Sequence, residues 1–374
     1  MTEFVIFLRG RIVTRQNLGH HSDMFAEKTC FVVGAGASCE LGLPDGNMLK
    51  DKIKSALATT NEHIYVFEDT EMREAVRLLG AENENLREVQ AGVKHAAEAI
   101  LAGLDFAPSI DNFLHLHQDD EWIQKVGKAA IARCILEAED KSYLFHAGSR
   151  GRKPRLSSQD RLRPGLEHPN LQKSWHTMLA RIAFSQVKKE NLPDALDRLR
   201  FVIFNYDRCL EQFLWSVLQA LYSIDRDEAA SLLKNVDFLH PYGSLGCLPW
   251  QDAQMALPLG TATAKLFEVG EGLRTFTESQ DEGVADRGKT MLQRTYNAIF
   301  LGFGFLNQNV DLIRPAEPFA DRILATAYGM AEPNRKVAVR MARSIMRYPM
   351  RENAYVLNAT CRQLLDDHSL ELTA

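Results

Sequence analysis

Phe31-Val32-Val33-Gly34-Ala35-Gly36-Ala37-Ser38, followed by Leu41-Gly42-Leu43-Pro44-Asp45-Gly46, is the stretch that decides the fold of this chain. An apolar, β-branched run enters a glycine turn and then a helix start, the order of a strand-turn-helix unit in an α/β sheet. Glycine at 34 and 36 lets the backbone take crowded or left-handed conformations and lets a pyrophosphate approach the main chain. The first N–H groups of the helix add partial positive charge. Gly34, Ala35, Gly36, Ala37 and Ser38 therefore read as a phosphate cradle. The common dinucleotide fingerprint would place a further glycine at 39. Cys39 stands there, so this is not the usual dehydrogenase turn.

Three later segments repeat the pattern of an apolar run that ends in polar or glycine residues. They are Phe201-Val202-Ile203-Phe204-Asn205-Tyr206-Asp207, Val236-Asp237-Phe238-Leu239-His240-Pro241-Tyr242-Gly243-Ser244, and Ala298-Ile299-Phe300-Leu301-Gly302-Phe303-Gly304-Phe305 with Asn307 and Asn309 behind it. In open α/β sheets ligands bind beyond the carboxyl ends of the strands, which is where each of these motifs falls. A further element, Pro108-Ser109-Ile110-Asp111-Asn112-Phe113-Leu114, also reads as a helix N-terminus capped by Ser109 or Asp111.

Taken in order, these motifs resemble those of the sirtuin superfamily, whose members use NAD as a substrate and break its nicotinamide–ribose bond. The likeness covers the segments around 29–50, 200–215, 236–247 and 297–312, and the Ser-Ile-Asp-x-Phe-Leu element is similar to one in the sirtuin-like NADases of bacterial antiphage defence. The resemblance implies an Asn-x-Asp motif at Asn205, Tyr206 and Asp207, with Asp207 on the nicotinamide carboxamide or capping the next helix. It implies a histidine segment before the turn at Gly243 and Ser244, a ribose-binding loop at Gly302, Phe303, Gly304 and Asn309, a cofactor loop opening at Pro44 and Asp45, and a cofactor contact at Asp111. Two departures stand out. Tyr242, not histidine, precedes Gly243, leaving His240 two residues earlier, and Gly46-Asn47 replaces the Phe-Arg that follows Pro-Asp in the family.

The implied chemistry is modest. Nicotinamide departs as a neutral pyridine from a cationic N-glycoside, so an enzyme needs mainly to hold the ribose, shelter an oxocarbenium-like transition state and aim a nucleophile. Asn205, a donor and an acceptor on a short side chain, suits a ribose hydroxyl or the attacking water. His240, with an ordinary pKa near 6.5, is the expected general base, and as alternating residues share a strand face it reaches the same side as position 242.

Length and composition agree with one extended domain or two smaller ones: 374 residues, 45% hydrophobic and 25% charged, are enough for a substantial core. The net charge of −5 gives no global basic field, so nucleic acid is expected only indirectly, through a partner. Cys30, Cys39, Cys134, Cys209, Cys247 and Cys361 do not pair at metal-ligand spacing, so no metal is expected. The zinc ribbon of protein-deacylating sirtuins is thereby missing. Phe4-Val5-Ile6-Phe7-Leu8 is too short for a membrane span or a secretory core, which points to a cytoplasmic protein.

The expected fold class is α/β: a Rossmann-like parallel sheet with helices on both faces and a large helical insertion. Residues 1–24 form an N-terminal arm, which sequence leaves as an added strand, an oligomer arm or a tail. Residues 25–60 plus 196–374 form the NAD-binding core, and residues 61–195 the insertion. Apolar residues at three- and four-residue spacing predict helices at Asp51 to Leu57, Glu71 to Leu79, Leu86 to Leu104, Trp122 to Glu139 and Trp175 to Lys188. The basic run at 146–165 reads as a loop, either a solvated connection or an edge for acidic partners. Strands are expected near Ile323 to Tyr328 and Lys336 to Val339, and a last helix from about Ala354 to Leu365.

The function this implies is an NAD glycohydrolase that yields nicotinamide and ADP-ribose and depletes NAD during phage infection. The resemblance further implies a homo-oligomer with a HerA-type ATPase or an Argonaute-type sensor as partner. An NAD-dependent deacylase or ADP-ribosyltransferase, and a non-catalytic NAD or ADP-ribose scaffold or sensor, are the alternative readings.

Overall fold

Strands without a polar face can only be buried on both sides, and the five residues of Thr29–Val33 (β1) are all buried. β1 lies inside a six-stranded, all-parallel sheet with Leu199–Ile203 (β2), Asp237–Leu239 (β3), Asn297–Leu301 (β4), Arg322–Thr326 (β5) and Ala354–Leu357 (β6), in the order β3-β2-β1-β4-β5-β6. That order is the doubly wound arrangement, whose direction of winding reverses between β1 and β4. Phe31 registers with Phe201 on one side and Ile299 on the other, so the three motif-bearing strands end level with one another. The computed structural model describes residues 24–59, 66–83, 85–145, 166–254, 256–281, 283–317, 320–345 and 354–374, together with a two-stranded antiparallel pair at Phe7–Leu8 and Arg11–Ile12. Most of the N-terminal arm and the whole basic run at 146–165 lie outside the described residues.

The pleat divides β1 between two apolar layers. Cys30 and Val32 join a core with the helices Gly46–Ala56 (α1), Thr70–Glu82 (α2), Leu86–Gly103 (α3), Ile110–Leu116 (α4) and Glu121–Lys141 (α5). Phe31 and Val33 join the other core, with the helices Trp175–Phe184 (α6) and Cys209–Tyr222 (α7). The helical insertion thus shares its apolar core with the sheet. α6, expected to belong to the insertion, packs on the opposite layer against the helix Cys361–Asp367. Among the described residues no helix is long and apolar enough to cross a membrane.

Two expected elements are corrected. Lys336 to Val339 is not a strand but part of the helix Glu332–Ile345: Val337 and Val339 suggested β structure, yet Ala338, Ala342 and Ile345 recur at helical spacing and are the buried positions. Ala354 to Leu365 is not one helix. Its first residues pair with β5, Ile323 opposite Ala354, and a capping box at Thr360 and Gln363 then starts a separate helix.

Candidate functional site

Four backbone segments leave the sheet at its carboxyl edge, and two of them lock together. Gly34 and Gly36 donate their N–H groups to the carbonyls of Leu301 and Gly302, at 2.9 and 3.1 Å. A Cβ on Gly34 would stand 2.5 Å from the Gly302 oxygen, and one on Gly302, which has φ +57°, would stand 2.0 Å from the Ala37 nitrogen. The glycines expected to admit a pyrophosphate here admit a neighbouring loop, and the Gly36 amide is committed to protein. Gly302 N–H is bonded to Thr326 Oγ1 at 2.8 Å, whereas Gly304 has open space beside its Cα.

The next segment builds the site. β2 ends at Ile203, and its continuation carries Asn205, Tyr206 and Asp207 into a cavity of about 80 Å³ whose walls include Ala35, Ser38, Leu43, Pro44, Asp45, Ser109 and Asp111. Asn205 Nδ2 donates to Ser38 Oγ at 2.6 Å, and Ser38 Oγ donates to Asp207 Oδ2 at 2.8 Å. The other Asp207 oxygen accepts from the Cys209 N–H at the start of α7. This relay orients the amide: while Ser38 gives its only proton to Asp207, its oxygen can only accept, so Asn205 turns its NH₂ toward Ser38. The Asn205 Oδ1 is left buried with no partner, on a residue only 7% exposed. Such an orphan acceptor is uncommon in a native interior and marks a place for a ligand or ordered water.

Around this relay the expected site residues take distinct parts. Tyr206 donates its hydroxyl to Asp111 Oδ1, which joins the β2 end to the first turn of α4, where Ser109 is the cap. Asp45 caps α1 through the N–H groups of Asn47 and Met48, so the Pro44–Asp45 turn stands as a wall of the cavity. Burial raises the Asp207 carboxyl above its ordinary range, against the lowering hydrogen bond from Ser38, and burial does the same at Asp111.

His240, at the end of β3, meets Asn205 in a different way from that expected. Its Nδ1 lies 2.9 Å from the Asn205 backbone oxygen and its Nε2 lies 2.6 Å from Glu211 Oε1. Both ring nitrogens face protein oxygens. Burial alone would lower its pKa, but the charge and hydrogen bond of Glu211, with the Asn205 carbonyl, raise it. Both ring nitrogens of the expected general base are thus engaged by protein groups, one by the Asn205 main chain and one by Glu211. His240, Gly243 and Ser244 line a separate, larger cleft.

The ribose-binding residues expected after β4 are not brought to the cavity. Phe303 packs with Phe204, whose ring also meets Tyr242, and the Tyr242 hydroxyl donates to Asn309 Oδ1 at 2.6 Å. An aromatic cluster thus fills the space between the ends of β2 and β4.

Glu211 was missed as a site residue, although an acid inside the apolar run Cys209-Leu210-Glu211-Gln212-Phe213-Leu214 is a visible signal. Glu139 had none: it is fully buried and grips Arg208 with both oxygens, at 3.1 Å to Nε and 2.6 Å to the terminal nitrogen, tying α5 to the segment that carries Asp207. No protein-family model matches the chain, and no curated protein matches it.

Proposed function

We propose that this chain is an NAD glycohydrolase, which cleaves the nicotinamide–ribose bond of NAD with water to give nicotinamide, ADP-ribose and a proton. The observation that carries the reading is the partnerless Asn205 Oδ1, buried at the carboxyl end of β2 in the same cavity as Ser38, Asp207 and Asp111. That oxygen accepts a hydrogen from the attacking water or from a ribose hydroxyl and so aims it at the anomeric carbon. Asp207 faces the carboxamide of the leaving nicotinamide. Since nicotinamide leaves as a neutral base, no strong acid is required, and His240 acts as a positioning group that fixes the Asn205 backbone. A cavity of about 80 Å³ is smaller than the ~300–1,000 Å³ pockets that hold whole small ligands, so entry of the dinucleotide requires the 43–46 and 109–111 walls to part.

The resemblance to sirtuin-like NADases supports the wider proposal: NAD depletion in antiphage defence by a cytoplasmic homo-oligomer acting with a HerA-type ATPase or an Argonaute-type sensor. A second reading, a scaffold that binds NAD or ADP-ribose without cleaving it, is favoured by the engagement of both His240 nitrogens. Incubation of the intact protein with NAD, followed by chromatography, separates the two. Equimolar nicotinamide and ADP-ribose, absent with Asn205→Ala, supports the hydrolase; NAD retained with ADP-ribose bound supports the scaffold.

A further inference from the structure

We propose that the cleft at the carboxyl end of β3 is a second binding site, which takes a small organic phosphate that also carries hydroxyl groups. The cleft has a volume of about 550 Å³ and shares no lining residue with the Asn205 cavity. Its walls include Arg208, Glu211, His240, Ser244, Arg274 and Arg287.

Two features define the ligand. The first is a buried acceptor. Glu211 is 3% exposed; one of its oxygens takes the His240 hydrogen bond, and Oε2 has no partner. A carboxylate oxygen in that setting calls for a neutral donor, and a ligand hydroxyl supplies one. The second is the cationic lining. Among the described residues Arg208, Arg274, Arg287 and His240 line the cleft, and Glu211 is the acidic one. Arg208 is committed to Glu139, but Arg287 is half exposed and its contact with Asp237 is long, at 3.6 Å. Guanidinium groups match phosphate oxygens in pairs, and a phosphate on the arginine side with a hydroxyl on the Glu211 side satisfies both features in one molecule. A ribose phosphate has that chemistry, either as a free metabolite or as the distal part of ADP-ribose.

Calorimetric titration of the intact chain with ribose phosphate, inorganic phosphate and ADP-ribose tests the site. Ribose phosphate should bind more tightly than inorganic phosphate, Arg287→Glu should weaken it at least tenfold, and Glu211→Gln should narrow the gap between the two ligands. Arg287 is half exposed, so that variant tests binding without threatening the fold. Asn205→Ala should leave this binding unchanged, which separates the site from the proposed NAD cavity whether or not NAD is cleaved. Displacement of ribose phosphate by ADP-ribose identifies the nucleotide as the source of the phosphate, and no displacement identifies a free metabolite. No binding of ribose phosphate, binding indifferent to Arg287→Glu, or equal affinity for inorganic phosphate would overturn the proposal.

Discussion

The Nδ1 of His240 lies 2.9 Å from the backbone carbonyl oxygen of Asn205, so these two residues, brought together from β3 and β2, touch through the main chain of one and the ring of the other. Glu211 completes the contact from the far side of the ring at 2.6 Å. The three form a chain from α7 to the cavity wall, and its charge state has a measurable consequence.

The folded pKa of His240 lies above its ordinary value: burial opposes this, and Glu211 with the Asn205 carbonyl outweighs burial. A group raised on folding contributes stability that is fully present below its unfolded pKa of about 6.5 and is lost as pH rises through the folded value. Urea midpoints should therefore decline on the alkaline side of about pH 6.5, and Glu211→Gln, which leaves burial to favour the neutral ring, should flatten this decline and lower stability at acid pH. An identical pH profile in wild type and variant would contradict the assignment.

Asn205→Ala removes one hydrogen bond, to Ser38, and an oxygen that has no partner. The stability loss should be about 1 kcal/mol, read from urea unfolding, while NAD cleavage should drop ~100-fold or more. A large loss of stability would instead make Asn205 a structural residue.

The two glycines after β4 should behave oppositely. Gly302→Ala places a Cβ 2.0 Å from backbone at a left-handed φ and should destabilise by roughly 3 kcal/mol or more. Gly304→Ala meets nothing within 4 Å and should fold normally. Thermal melts of the pair check this, and equal melts would show that the two loops do not interlock.

Glu139→Gln leaves Arg208 charged, with a weakened partner, at a site only 1% exposed. Removing half of such a pair costs about 3–5 kcal/mol, whereas replacing both with apolar residues of similar volume is often neutral. Glu139→Leu combined with Arg208→Met should therefore recover most of the stability that Glu139→Gln loses, as measured by denaturant midpoints. A double variant less stable than the single one would show that the pair is needed for more than charge balance.

What local pattern specifies was legible in the sequence. The runs at 31–33, 201–203 and 298–301 read as buried strands because their apolar residues are contiguous, and the helices at 70–82 and 86–103 because theirs recur every three to four positions. The glycine turn of β1 was legible as a turn. Its partner was not, because Gly34 and Gly302 meet only after three crossovers have placed β4 beside β1. Glu139 and Arg208 lie 69 residues apart in sequence, and nothing near either one announces the other. Lys336 to Val339 misled because β-branched residues favour strands locally, while burial of Ala338, Ala342 and Ile345 set the outcome. For His240 the motif placed the residue near Asn205 correctly, but its protonation depends on Glu211, which approaches from α7.

The most direct test of the proposed site is a short-time calorimetric titration of NAD into the intact chain, paired with the same titration of Asn205→Ala. Saturable binding to the wild type, weakened at least tenfold in the variant, is the expected result. Absence of binding, or equal affinity in the two proteins, would contradict the claim that the cavity formed by Ser38, Asn205 and Asp207 receives the nicotinamide end of NAD.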